Sequence, residues 1–164
     1  MPIETDLEII AQQEAELVFD RFDEDLAFEI GSNMRKLAKT FGKGAAVGVY
    51  LWDRTMFFGA TAGATDGNRG WVERKVKLVR LMQKSSYRIV LERGDQPRVL
   101  TNWALEAGDY AIAGGAFPIT IRNVGIIGAA ATSGLPERDD HEVSRGAIAL
   151  ALGKSEAHLA LPRA

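Results

Sequence analysis

The 164-residue sequence contains no cysteine, which excludes disulfide bonds, thiolate metal sites and cysteine nucleophiles. It has only two histidines, His141 and His158, so imidazole chemistry has few candidates. No apolar run approaches the roughly 20 residues that span a bilayer, and the acidic first residues lack the basic segment of a targeting peptide. We therefore expect a soluble, cytoplasmic protein without a membrane partner.

The overall amino-acid composition is typical of one globular domain. Hydrophobic residues make up 46% of the chain and charged residues 26%. A chain of this length can form a proper core. We expect a single domain over residues 1–164.

The charges are unevenly distributed, although the net charge is only −2. Residues 1–29 hold ten acids and one base, a net −9, whereas residues 69–88 hold seven bases and one acid, a net +6. Both segments can be solvated helix faces, because exposed ion pairs contribute only about 0–1 kcal/mol each. Alternatively, the two segments attract each other within or between subunits. The acidic pI of 5.7 and the acidic first third argue against nucleic acid as a partner.

The hydrophobic pattern predicts the order helix, helix, hairpin, helix, hairpin, helix. The predicted helices cover 6–16, a stripe from Leu26 to Phe41, 68–84 and 141–152, and the predicted strands cover 45–52, 55–61, 110–121 and 125–132. Helices set against a mostly antiparallel sheet define an α+β domain rather than a parallel sheet.

Local signals predict how some of these elements begin and connect. Thr5 and Glu8 have the spacing of a capping box at the first helix. Asp139 or Asp140 is expected to cap the last helix. Residues 94–97, Gly-Asp-Gln-Pro, are typical of a turn.

Trp71, Arg74 and Lys75 form the first candidate site. Their spacing of three and four places an aromatic ring and two cations on one side of a helix. This combination suits a flat anionic ligand. It suits a subunit contact equally well, because tryptophan and arginine commonly anchor interfaces.

Asp140 and His141 form the second candidate site. Asp140 could orient His141 for acid–base work, or let it ligate a metal or haem iron. A capping role for the aspartate is the favoured alternative. Upstream, the paired glycines before Phe117 and Pro118 allow close approach by a ligand, or by neighbouring backbone at a bulge.

Several motifs together resemble a known family. In chain order they are residues 68–71 with Arg74 and Lys75, Ser85-Ser86, Gly114-Gly115-Ala116-Phe117-Pro118-Ile119, and Ser133-Gly134-Leu135-Pro136 with Asp140-His141. This order and spacing resembles the haem-degrading-domain or GlcG-like (HbpS-like) family, within its branch marked by Ser-Gly-Leu-Pro and Asp-His. Gly67 and Ala116 depart from the pattern, where aspartate and serine are expected.

The resemblance implies a profilin-like domain, an antiparallel sheet flanked by helices, that assembles into dimers or larger rings. It implies little about activity, because most members have no assigned reaction. Haem is a possible cofactor, and none is certain.

Three hypotheses follow from these observations. The first is a homo-oligomeric small-molecule-binding or sensing domain for haem or another flat anion. Its candidate ligand-binding residues are Trp71, Arg74, Lys75, Phe117, Pro118, Asp140 and His141. The second is an oligomeric scaffold without a small ligand. The third is an enzyme that uses Asp140 and His141 as an acid–base pair.

Overall fold

A computed structural model describes residues 2–94 and 96–163. The elements in chain order are α1 (Ile3–Glu16), β1 (Val18–Phe19), α2 (Glu24–Lys39), β2 (Ala46–Leu51), β3 (Arg54–Ala60), α3 (Asp66–Met82), α4 (Ser86–Arg93), α5 (Gln96–Asn102), β4 (Ala116–Ile121), β5 (Gly125–Ser133) and α6 (Glu137–Ala151). None of the described helices is long and apolar enough to cross a membrane.

The five strands form one sheet in the order β1-β4-β5-β2-β3. The pairs β2–β3, β2–β5 and β4–β5 are antiparallel, and both predicted hairpins are confirmed. The two residues of β1 pair parallel with β4. This strand was missed because two residues are too few to show an alternating pattern.

Helices cover both faces of the sheet. On one face, Val72, Val76 and Val79 of α3 pack against the small side chains of Ala129 and Ala131 in β5, which allow the helix to approach closely. On the other face, α2 and α6 pack on the sheet around buried β4 side chains. The predicted α+β class, with a mostly antiparallel sheet flanked by helices, is confirmed.

Two helix starts differ from the prediction. α1 begins at Ile3 after Pro2, with no side-chain capping bond, so the Thr5–Glu8 capping box was wrong. α6 begins at Glu137 after Pro136, four residues earlier than predicted. Its apolar pattern starts only further along the helix, so the polar first turn was not visible in the sequence.

The segment between α3 and β4 also differs. The helices α4 and α5 were not predicted, since both are short. Gly94 ends α4 with a positive φ of 81°, whereas Asp95, within the predicted turn, lies outside the described residues. The strand predicted from residue 110 begins only at Ala116, because residues 111–115, although buried, are not paired as a strand.

Candidate functional site

Lys75 and Asp140 meet in the interior, between α3 and α6. The ammonium nitrogen of Lys75 lies 3.1 Å from the Asp140 carboxylate, and it donates to the carbonyl oxygen of Thr132 at 2.9 Å. Both side chains are only 3% exposed. Asp140 also accepts from the backbone amide of Leu135. Asp140 therefore does bind a backbone amide, from inside the helix rather than as its N-cap.

Burial opposes the charge on both members of this pair. It raises the pKa of Asp140 to about 6, against the lowering effect of Lys75. It lowers the pKa of Lys75, against the raising effect of Asp140. The pair joins α3 to α6 beside the end of β5, and because both side chains are buried it offers no exposed surface to a ligand.

His141 is fully buried and bonded elsewhere. The amide nitrogen of Gln13 donates to the carbonyl of Leu159, so its oxygen faces His141 and accepts from Nε2 at 2.8 Å. Its Nδ1 has no hydrogen-bond partner among the described residues. His141 is therefore not bonded to Asp140, and the hydrogen bond that an acid–base pair requires is missing.

The surroundings of His141 are aromatic and cationic. The rings of Tyr87 and Phe117 lie 5.4 and 5.7 Å from the imidazole. Complete burial lowers the pKa of His141 to about 3, with smaller contributions from Arg145 and Arg138. The imidazole is neutral at physiological pH.

The glycines before Phe117 are approached by the protein itself. Gly115 has a φ of +138°, and a Cβ there would overlap the carbonyl oxygen of Thr132. Its own carbonyl accepts from Ser144 at 2.7 Å. Phe117 and Pro118 are buried in β4. Neighbouring backbone therefore occupies the space beside the paired glycines, for which the sequence allowed either backbone or a ligand.

Trp71 and Arg74 do share one side of α3, as their spacing indicates. The guanidinium carbon of Arg74 lies 4.4 Å from the Trp71 ring centre, and Trp71 is 38% exposed. Arg74 also donates to the carbonyls of Gly70 and Ala107. The structure thus separates this partly exposed pair from the buried Lys75, Asp140 and His141.

A cavity of about 300 Å³ lies elsewhere on α3, between that helix and the β2–β3 hairpin. The lining residues are Tyr50, Leu51, Trp52, Asp53, Arg54, Thr55, Glu73, Val76, Lys77 and Arg80. The Arg80 guanidinium lies 5.8 Å from the Trp52 ring centre. Trp52 is held by a bond from its indole nitrogen to the carbonyl of Ile126. An indole and cations therefore face one concave surface.

A second cavity, of about 600 Å³, adjoins the first and shares Lys77 and Arg80 with it. Leu81, Asp109 and Tyr110 complete its wall. Lys77 lies 3.7 Å from Asp109 in an exposed ion pair. The two cavities form a groove along α3, here called the α3 groove, with cations at its centre and aromatic rings at both ends.

The described lining of the α3 groove includes no histidine or cysteine that could ligate a metal ion. Burial raises the pKa of Tyr50 to about 12, so its phenol stays protonated at neutral pH. Residues 2–94 and 96–163 contain no group of three histidine, cysteine, aspartate or glutamate side chains that could hold a metal. His158, the other histidine, lies 3.1 Å from Glu16.

The α3 groove was not predicted from the sequence. Lys77 and Arg80 lie one turn apart within the basic segment, which was a visible signal. Trp52 stands at the predicted hairpin turn, and nothing local indicates that this hairpin faces α3. That contact depends on the strand order of the sheet.

Comparisons with known proteins agree with this architecture. A family model described as "Haem degrading protein HbpS-like" matches residues 22–149. A UPF0303 protein of Brucella melitensis is 44% identical over 156 residues, which cover 94% of this chain and 92% of that protein.

Two solved structures share the fold. The Ybr137w protein has a TM-score of 0.83 and 22% identity, over 93% of this chain and 92% of that one. A PduOC:heme complex has a TM-score of 0.64 and 15% identity, over 78% of this chain and 93% of that one. With the match across residues 22–149, the chain belongs to the HbpS-like haem-degrading protein family.

Proposed function

We propose that this protein is a homo-oligomeric, cytoplasmic small-molecule-binding or sensing domain, comprising the whole of residues 1–164, that takes a flat anionic ligand in the α3 groove. The observation that carries the proposal is the concave surface where Trp52 faces Arg80 and Lys77. An indole stacks on a flat apolar ring, and the two cations form charge-assisted hydrogen bonds with carboxylates.

Haem is the first ligand to test, because the family model and the PduOC:heme complex both concern haem. The α3 groove supplies an indole for the flat face of a porphyrin and two cations for its propionates. It supplies neither histidine nor tyrosinate as an axial ligand for the iron, because His141 is fully buried and the Tyr50 phenol is protonated. The proposal therefore assigns binding to the ring and its carboxylates, without ligation of iron by a histidine.

The first experiment titrates haemin and metal-free protoporphyrin IX into the protein and follows absorbance and tryptophan fluorescence. Because iron contributes no bond to the protein, the two Kd values should agree within about threefold, a difference of under 1 kcal/mol. Specific binding of haemin alone would contradict binding without iron ligation. Absence of specific binding by both compounds would remove the flat-anion hypothesis.

Arg80→Glu and Arg74→Glu form a matched pair of variants, since both arginines lie on α3 and each faces a tryptophan ring, Trp52 and Trp71 respectively. Arg80→Glu should weaken binding at least about tenfold, because it places a carboxylate against the propionates. Arg74→Glu should change Kd by less than about threefold. The reverse result would move the site to the Trp71–Arg74 pair.

A further inference from the structure

The outer flank of α2 carries an exposed aromatic side chain beside an uncovered strand edge. Phe28 is 65% exposed, and its ring meets Phe57 of β3 edge-to-face with 5.8 Å between centres. β3 is the last strand of the sheet on this side. Exposed aromatic groups beside a free strand edge are typical of interaction surfaces.

Contacts along their length hold α2 and β3 together as one side of the molecule. Glu24 pairs with Arg54 at the start of both elements, and Arg35 donates to the carbonyl of Ala60 at their ends. Gly31 lies against the Phe57 ring, where a Cβ would overlap it. The centre of this surface lies near Gly31 and Ser32.

The charges on α2 are divided between its two halves. The exposed acids lie in the first half and the exposed bases in the second. They are Glu24, Asp25 and Glu29, and then Arg35, Lys36 and Lys39. The helix dipole favours such charges in the terminal turns. Glu29 and Arg35 lie beyond those turns, so the division extends over the whole exposed flank.

We propose that a second copy of this chain docks on this flank, with the two α2 helices antiparallel about a twofold axis near Ser32. Phe28 then meets Arg35 of the second copy, and Glu24 meets Lys39 of the second copy. A twofold interface requires a self-complementary surface, and this arrangement supplies it. Arginine over a phenyl ring adds a cation–π contact.

The proposed α2 interface rests on the proposed function, because it requires the homo-oligomer stated there. It adds which surface of each copy makes the contact. α2 and α3 lie on opposite faces of the sheet, and the two surfaces adjoin at Arg54, which pairs with Glu24 and also lines the α3 groove. Phe28, Lys36 and Lys39 are not among the groove-lining residues, so their variants test assembly apart from ligand binding.

The first test measures mass by light scattering at micromolar concentration for wild type, Phe28→Lys and Leu81→Lys. Leu81 is a matched control, because it is 43% exposed on α3, across the sheet. Phe28→Lys should raise the dimer Kd at least about tenfold, because it places a lysine against Arg35 of the second copy. Leu81→Lys should leave the mass unchanged.

A second test does not touch the Phe28–Phe57 contact. In the described chain, Asp25, Glu29, Lys36 and Lys39 form no ion pair with another residue. Reversing Lys36 and Lys39 to glutamate should dissociate the dimer, since acids then face acids. Adding Glu24→Lys, Asp25→Lys and Glu29→Lys should restore it, because lysines then face the new glutamates of the second copy, and melting curves show whether each variant is folded.

The outcomes separate this surface from the wider proposal. A monomeric wild type overturns both the homo-oligomer and the α2 surface. An oligomeric wild type whose mass is unchanged by Phe28→Lys and by the charge reversals overturns the α2 surface alone. A mass that falls only for Leu81→Lys places the interface on α3 and overturns it as well.

Discussion

Lys75 and Asp140 show how a charged residue predicted to bind a ligand can instead hold the fold together. Both charged groups are buried, and each also forms a hydrogen bond with backbone, Lys75 with Thr132 and Asp140 with Leu135. Removing one partner of such a pair leaves an uncompensated charge in the interior, whereas removing both does not.

Lys75→Met should therefore lower the free energy of unfolding by about 3–5 kcal/mol. The double variant Lys75→Met with Asp140→Asn should recover at least about half of that loss, because the amide is neutral and its oxygen can still accept from Leu135. Urea unfolding of both single variants and the double variant measures the coupling. Additive losses would show that the pair does not act as a unit.

His141 predicts a specific acid sensitivity. Its pKa is about 3 in the folded protein and near 6.5 in an unfolded chain. Between these values only the unfolded chain takes up the proton, so the stability present above pH 6.5 is lost progressively as the pH falls towards 3.

His141→Gln removes this titration and keeps a donor for Gln13. Between pH 7 and pH 5, the wild type should lose about 2 kcal/mol of unfolding free energy relative to the variant. Denaturant unfolding at several pH values tests the difference. Parallel pH profiles for the two proteins would contradict the neutral, buried assignment of His141.

At the scale of elements, the pairing of the start of β4 with the end of β5 depends on Gly115. Both Gly115 and Gly125 have positive φ, at +138° and +120°. Only Gly115 is crowded, by the backbone of Thr132 and the side chains of Lys75 and Asp140. Comparing substitutions at the two glycines therefore separates the free-energy cost of backbone strain from that of steric overlap.

Gly125→Ala should cost about 1–3 kcal/mol, the strain of the backbone conformation. Gly115→Ala should cost at least about 2 kcal/mol more, because the new methyl group also overlaps the Thr132 carbonyl. Thermal and urea unfolding of both variants give the comparison. Equal losses of unfolding free energy would mean that the backbone around the start of β4 adjusts to accept a side chain at position 115.

At the scale of the whole molecule, the acidic segment 1–29 and the basic segment 69–88, here called the acidic and basic blocks, form fewer ion pairs with each other than their net charges imply. Glu14 of the acidic block pairs with Arg88 of the basic block, which docks α1 on α4. Several other bases pair with acids outside residues 1–29, as Lys75 does with Asp140 and Lys84 with Glu92. The acids of α2 remain exposed, which leaves them available to a second copy.

The sequence by itself determined the elements that have a strong local signal. Both hairpins, the apolar stripe of α2 and the basic helix α3 could be predicted, because each depends on periodicity within about twenty residues. The family could be identified from the spacing of short motifs. The short elements β1, α4 and α5 could not, because their stability comes from packing against distant segments.

Only the tertiary structure decided which chemical groups face solvent. Lys75 and Arg74 are adjacent in sequence, but the packing of α3 on the sheet buries Lys75 and leaves Arg74 partly exposed. His141 is enclosed because α1, some 130 residues earlier in the chain, places Gln13 against it. Trp52 meets Arg80 because the strand order brings β2 beside α3. Such contacts depend on long-range packing, and local sequence patterns carry no information about them.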